Sequence, residues 1–282
     1  MKLFDHDLEK KTLIMGILNI TPDSFSDGGL YNSYDKAIKH AKKMVNDGAD
    51  IIDIGGESTR PGAKKITAKI ELKRILPVIK ELLKEIKVPI SVDTYKSEVG
   101  ECCIEAGASL INDITALRGD KRLLSVIKKY NVPVCLMHMK GTPENMQKNP
   151  SYKDLIKEIT NFFKKRSEYA IKNGISKEKI IIDPGIGFGK RTGNGIEDNC
   201  NILANLSEFK KLGFPLLIGA SRKTFIGNIS SREKLDPKDR LPGSIASAII
   251  AKLNGANILR VHDVKETKHA LNIIDCILKN KG

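Results

Sequence analysis

Eight times along this chain a short apolar run stops abruptly at a polar residue or a glycine, and a helical pattern follows nearly every stop. Residues 14–18 run into Asn19, 51–52 into Asp53 and then Gly55-Gly56-Glu57, and 90–92 into Asp93. Residues 110–111 end at Asn112-Asp113, 134–137 at His138, and 180–182 at Asp183. Residues 216–218 end at Gly219 and Ser221, and 258–259 at Arg260, with Val261 and His262 just beyond. The runs are rich in Ile, Val and Leu and do not alternate cleanly, as expected of strands buried on both faces, and parallel strands are usually so buried. Sequential strand–helix units imply a parallel sheet. Eight of them in 282 residues favour a closed (β/α)8 TIM barrel over an open doubly wound sheet. No Pro-, Gly- or Ser-rich linker and no composition shift marks a second domain, so residues 1–282 read as one barrel domain with a sizeable core. The reactive groups of such a barrel gather where the strands end.

Local signals agree with this order. Gly48, Gly107, Gly174, Gly213 and Gly255 each precede a new strand and suit the left-handed position after a helix. Ser33 is placed to cap the first helix, Ser151 with Asp154 to form a capping box, and Asp263 with Glu266 to do the same for the last helix. Pro77 falls inside the helical stretch 70–86 and predicts a kink or a break. The stretch Thr21-Pro22-Asp23-Ser24-Phe25-Ser26-Asp27-Gly28-Gly29 after the first strand is long, as is Glu57-Ser58-Thr59-Arg60-Pro61-Gly62-Ala63 after the second. They read as mobile covers over a rigid rim, which suggests an enzyme with lids.

The net charge of +14 comes mostly from dispersed lysines, which suit a solvated surface or an anionic partner. Aromatics are only 5%, so no base-stacking platform is visible and nucleic acid is not an expected partner. The five cysteines (Cys102, Cys103, Cys135, Cys200 and Cys276) are odd in number and contain no C-x-x-C pair. That argues against a disulfide or zinc scaffold and for a reducing, cytoplasmic location. The first residues do not read as a signal peptide, and no run approaches a membrane span.

Asp93, Asn112 and Asp183 stand at strand ends. Any one of them could merely cap the following helix. Together on one rim they can grip a flat, donor-rich heterocycle and reject ligands that leave them unpaired. Lys223 could polarise a carbonyl or ring nitrogen, or could be surface charge. Arg260 and His262 are alternate residues of the eighth strand and face one side. They fit a phosphate clamp, or an ion pair beside a core histidine. Asp183-Pro184-Gly185-Ile186-Gly187-Phe188-Gly189-Lys190 lacks the spacing of a phosphate loop. Its glycines instead suit close approach of backbone to a flat ligand, with Phe188 packing on it.

These residues sit in motifs that resemble the dihydropteroate synthase family. Met15-Gly16-Ile17-Leu18-Asn19-Ile20-Thr21-Pro22-Asp23-Ser24-Phe25-Ser26-Asp27-Gly28-Gly29 is similar to its first signature, and Asp53-Ile54-Gly55-Gly56-Glu57-Ser58-Thr59-Arg60-Pro61-Gly62 to its second. Further matches are Ser91-Val92-Asp93-Thr94, Ile111-Asn112-Asp113, Leu136-Met137-His138-Met139, Ile182-Asp183-Pro184-Gly185-Ile186-Gly187-Phe188, Ser221-Arg222-Lys223 and Arg260-Val261-His262-Asp263. They cover nearly the whole chain in the expected order. Thr224 stands where the family more often has Ser, and 228–240 matches nothing in the pattern.

The resemblance implies a (β/α)8 enzyme of folate synthesis. It would condense 6-hydroxymethyl-7,8-dihydropterin pyrophosphate with p-aminobenzoate, giving 7,8-dihydropteroate and pyrophosphate, with Mg2+ as cofactor. Asp93, Asn112 and Asp183 would hold the aminopyrimidine edge of the pterin, with Lys223 on its carbonyl side. Met137, Phe188, Gly219 and Arg260 would line the flat pocket. Asn19, Arg60, Arg260 and His262 would hold the pyrophosphate, with Asn19 as the group beside the metal. Phe25, Thr59, Pro61, Lys223 and Thr224 would shape the p-aminobenzoate site. The catalytic set would be Asp93, Lys223, Arg260 and His262, and the family implies a homodimer through late helices. His138 has no role in this scheme.

One alternative is a pterin barrel that passes a methyl group from methyltetrahydrofolate to a corrinoid protein. It shares the pterin acceptors but has no use for a pyrophosphate clamp or for the Ser58-Thr59-Arg60-Pro61-Gly62 loop. A nucleic-acid-binding protein exploiting the +14 charge and a catalytically dead barrel are the other readings. The polar rim argues against the latter.

Overall fold

A computed structural model describes residues 1–21, 29–60, 62–193, 196–231 and 235–280, with the side chains of 29–33 left out. Phe25 and Pro61 lie outside the described residues. A short antiparallel hairpin, β1 (Lys2–Leu3) and β2 (His6–Asp7), precedes the barrel. The barrel strands are β3 (Leu13–Asn19), β4 (Ile51–Gly55), β5 (Ile90–Asp93), β6 (Leu110–Asp113), β7 (Val134–Met137), β8 (Ile180–Asp183), β9 (Leu217–Ile218) and β10 (Ile258–Val261). All are parallel, neighbours pair in chain order, and β10 pairs back onto β3. Between β8 and β9 the ring closes, among the described residues, through a single bridge of Ile182 opposite Leu216. This is the eightfold parallel barrel that the apolar runs predict.

Period two decides what faces inward. Leu13, Met15, Ile51, Leu110, Cys135, Ile181, Leu217 and Ile258 form an inner core together with Leu3 and Leu8, so the hairpin stoppers the lower end of the barrel. Their outward neighbours, among them Ile14, Ile52, Ile54, Val92, Ile111, Leu136, Ile182 and Leu259, pack into the larger core under the helices. Two residues further along the same inward rows stand Asp53, Asn112, Met137, Asp183, Gly219 and Arg260. On β5 the inward row is Ser91 then Asp93. The barrel interior therefore turns from apolar to polar as the strands end.

The helices are α1 (Gly29–Asn46), α2 (Ala68–Glu85), α3 (Ser97–Glu105), α4 (Arg122–Tyr130), α5 (Leu155–Lys172), α6 (Asp198–Ala204), α7 (Leu206–Lys210), α8 (Thr224–Ser230), α9 (Leu241–Leu253) and α10 (Val264–Lys279). Gly48, Gly107, Gly174, Gly213 and Gly255 have φ between +73° and +117°, as their place after helices requires. Lysine stems cover several of these turns. A Cβ at Gly48, Gly174 or Gly255 would fall 3.0, 2.9 and 2.9 Å from the side chains of Lys268, Lys128 and Lys210.

Four local expectations turn out differently, at Ser33, Ser151, Asp263 and Pro77. Ser33 lies inside α1, not at its start. The N-cap of α5 is Asp154, which accepts from Lys157 N at 3.1 Å, and Ser151 stays outside the helix. Asp263 is at the N-cap of α10, but its carboxylate is taken by Arg222, with Nε 2.9 Å from Oδ2. α2 continues through Pro77 without a break. Pro77 is exposed, and the Lys73 carbonyl it cannot bond accepts from Tyr34 Oη at 2.8 Å instead.

Candidate active site

The polar layer at the top of the barrel is built around one cation. Arg260 sends Nε to Asp53 Oδ2 at 2.6 Å and Nη2 to Asp93 Oδ2 at 2.8 Å. Asp53 is fully buried and also accepts from Ser91 Oγ at 2.6 Å and Asn112 Nδ2 at 3.1 Å. A carboxylate here only accepts, so this contact fixes the Asn112 amide with its NH2 toward Asp53 and its Oδ1 free to accept. Asp183 Oδ1 accepts from Gly185 N at 2.7 Å. Burial pushes Asp93 above the usual carboxylate range, with Arg260 opposing the shift. Burial also pushes Asp183 up to about 6, against the Gly185 N–H and Lys223. Lys223 moves the other way, lowered to about 8 by burial and then by Arg260. Its Nζ lies 4.2 Å from the centroid of the Phe188 ring.

The other end of the layer suits an anion. The His262 backbone N–H donates to Ser221 Oγ at 3.2 Å, and that oxygen lies 3.1 Å from His262 Nδ1. The hydroxyl proton is thus free to go to Nδ1, which leaves the ring proton on Nε2. Burial, and then Arg260, lower His262 to about 3, so it acts as a neutral donor and not as a second positive charge. Arg222, at φ +58°, turns away to Asp263 and gives its carbonyl to Arg240 Nη1 at 2.9 Å. That assigns part of the segment 228–240: buried Arg240 also donates to Leu235 O at 2.7 Å and braces the turn carrying Lys223. The Asn19 carboxamide faces the cleft with no hydrogen-bond partner among the described residues.

A cleft of about 880 Å3 opens onto this layer. Its wall brings together Asn19, Thr59, Arg60, Asp93, Phe188, Gly219, Lys223, Thr224, Arg260 and His262. Asn112, Met137 and Asp183 are not on the wall; they are buried behind it, 4%, 3% and 5% exposed. Phe188 packs on the cluster containing Met137. Arg60 is exposed. Phe25 and Pro61, expected at the aryl-amine end, fall outside the described residues. Two residues that build the site were missed by sequence reasoning. Asp53 was legible, because a charge between Ile52 and Ile54 in a doubly buried strand demands a partner. Ser221 carries no such signal, since only the pairing of β9 with β10 just before it brings it beside His262.

Among the described residues no group of three or more His, Cys, Asp or Glu could hold a metal. One unpartnered amide oxygen, at Asn19, fits a hard cation that brings most of its oxygen ligands with it.

Comparison with known proteins gives a consistent picture. A profile described as pterin binding enzyme matches residues 15–262. The chain is 46% identical over 268 residues to the dihydropteroate synthase of Escherichia coli strain K12, covering 95% of this chain and 92% of that protein. It is 45% identical over 274 residues to that of Bacillus subtilis strain 168, covering 97% and 91%. The solved Yersinia pestis dihydropteroate synthase with a sulfonamide drug superposes with a TM-score of 0.89 at 46% identity, covering 97% of this chain and 96% of that one. The Xanthomonas albilineans enzyme in complex with 7,8-dihydropteroate superposes with a TM-score of 0.86 at 40% identity, covering 97% and 95%.

Proposed function

The chain belongs to the pterin-binding enzyme family, and from that premise we propose that it is a transferase carrying out the dihydropteroate synthase reaction. The p-aminobenzoate nitrogen attacks the methylene of 6-hydroxymethyl-7,8-dihydropterin pyrophosphate. The C–N bond forms, the C–O bond breaks, pyrophosphate leaves, and the amine gives up one proton. The observation that carries this reading is the polar layer itself. A buried set of hydrogen-bonding groups around Arg260 adjoins, within one cleft, a neutral histidine donor and an exposed arginine.

The residue roles are carried over from the motifs, with support from that geometry, and Asn112 and Asp183 serve from just behind the cleft wall. Asn112 Oδ1 and the free oxygen of Asp183 accept from the pterin's amino and ring N–H groups, and Lys223 contacts its carbonyl side. Asp93 faces the methylene, where positive charge develops as the C–O bond lengthens, and a fixed carboxylate there stabilises it. Arg260 Nη1, the His262 Nε2–H and Arg60 take the departing pyrophosphate. Thr59, Thr224 and Lys223 border the approach of the aryl amine, with Phe25 and Pro61 assigned there by motif alone. Mg2+ would be held by the Asn19 amide oxygen and the substrate's phosphates, and would neutralise leaving-group charge. The described part of the loop after β4, with Ser58, Thr59 and Arg60 on the cleft wall, would help keep water, which competes with the weakly basic amine, from the reacting carbon.

The five cysteines are unpaired, which supports a cytoplasmic location. No described helix is long and apolar enough to cross a membrane. The homodimer would use α9 and α10, which pack together and expose Ile250, Leu253, Ile273 and Ile277.

A coupled assay tests the reading. The purified chain should release pyrophosphate from the pterin ester only when p-aminobenzoate and Mg2+ are both present. Release without the amine, or none at all, would refute it. Sulfonamides, which mimic p-aminobenzoate, should compete with it and not with the pterin.

A further inference from the structure

The turn that carries Phe188 closes on itself through one bond, Phe188 N to Gly185 O at 3.0 Å, and its other hydrogen bonds come from outside. Gly187 N donates to Asn199 Oδ1 at 2.8 Å, and Gly187 O accepts from Gln147 Nε2 at 2.7 Å. Gly189 O accepts from Tyr152 Oη at 2.5 Å. The centre of the arrangement is Lys190, 1% exposed, whose Nζ reaches Gly185 O at 2.9 Å, Phe188 O at 2.9 Å and His138 Nδ1 at 3.1 Å. Three N–H groups thus meet three acceptors. The turn lies hard against the end of β7: a Cβ at Gly185 would fall 2.0 Å from His138 O, and one at Gly189 2.4 Å from Lys140 O. His138 is buried and packs edge-on against Phe162 at 4.9 Å.

We infer that Lys190 is a positioning residue, which clamps residues 185–189 onto the end of β7 so that Phe188 is presented to the pterin face. His138 serves as the fixed acceptor of that clamp. The inference rests on reading the cleft as a pterin site. Phe188 is pinned through its carbonyl at one end and its ring meets Lys223 at the other. Burial lowers Lys190 to about 7, with Asp183 and Asp198 opposing and Lys223 adding to the shift. Keeping an ammonium there therefore costs free energy that an apolar filler would avoid, which argues for a role beyond packing.

The test replaces Lys190 with Met in the full chain. In the ligand-free protein the Gly187 and Phe188 amides should exchange with solvent at least about tenfold faster. The Kd for 6-hydroxymethyl-7,8-dihydropterin, by calorimetry, should rise about tenfold while the KM for p-aminobenzoate stays unchanged, and the loss should largely vanish in a Phe188→Ala background. Should Lys190→Met not fold, His138→Leu removes one acceptor, and His138→Asn restores it, because Asn Oδ1 replaces Nδ1. Unchanged exchange and affinity in a folded variant would overturn the clamp. So would losses additive with Phe188→Ala, or equal behaviour of the two His138 variants. If the native chain binds no pterin, the functional reading fails, while the exchange measurement still judges the clamp.

Discussion

Burial moves Asp183 up to about 6 and Lys223 down to about 8, so the two groups converge on neutrality from opposite sides. In the proposed roles Asp183 must be ionised to accept and Lys223 must be a cation. Asp93, which must also be ionised to stabilise the methylene charge, is raised too, so activity should fall as pH drops into the range where these buried carboxylates take up protons and again as it rises through about 8, giving a bell-shaped kcat/KM. Lys223→Arg should push the alkaline limb out of range, because a guanidinium keeps its proton; an unmoved limb would acquit Lys223. Arg260→Met should cost about 3–5 kcal/mol in urea unfolding, since it leaves Asp53 and Asp93 buried without their cation. That deficit should shrink as pH falls: a buried carboxylate whose folded pKa lies above its unfolded value binds protons on folding. Asp93, Asn112 and Asp183 could be read from the sequence because each ends an apolar run. What could not be read is that Asn112 is oriented by Asp53, because that bond joins residues 59 positions apart.

At the scale of the element, glycine turns and helix starts were legible to different degrees. Positive φ at the glycine turns after α1, α3, α5, α7 and α9 is a one-residue requirement, so the sequence announces it. Caps depend on what else competes for the side chain, and Asp263 went to Arg222. Pro77 shows the same competition in reverse, with Tyr34 on α1 serving a carbonyl of α2. Two glycines separate backbone strain from crowding. Gly62 has φ +78° and open space around its Cβ position; Gly185 has φ +69° and a carbonyl 2.0 Å away. Gly62→Ala should lower stability by only about 1 kcal/mol. Gly185→Ala should cost several times more in thermal unfolding and should also weaken pterin binding, because the turn has to leave β7.

Across the whole molecule, the barrel was legible because eight buried strands repeat one signal, whereas the hairpin stopper was not, because β1 and β2 are two residues each and carry no period. The proposed dimer makes a prediction at this scale. Ile273→Lys together with Ile277→Lys should shift the chain toward a monomer in sedimentation while leaving the barrel's unfolding transition nearly intact, as both side chains are exposed at 63% and 58%. Among the described residues the ring is zipped unevenly. β3 and β4 pair over five positions, but β8 is bridged only to Leu216, the residue before β9, through Ile182. A cylinder with one weak join opens there first. Native-state hydrogen exchange should show β9 and its flanks as the earliest cooperative unit to come loose, well below global unfolding. That join runs directly beneath Asp183 and Gly219, so a ligand bridging the two strand ends would act as a staple across the gap. Substrate would then protect the very amides that open most easily in its absence.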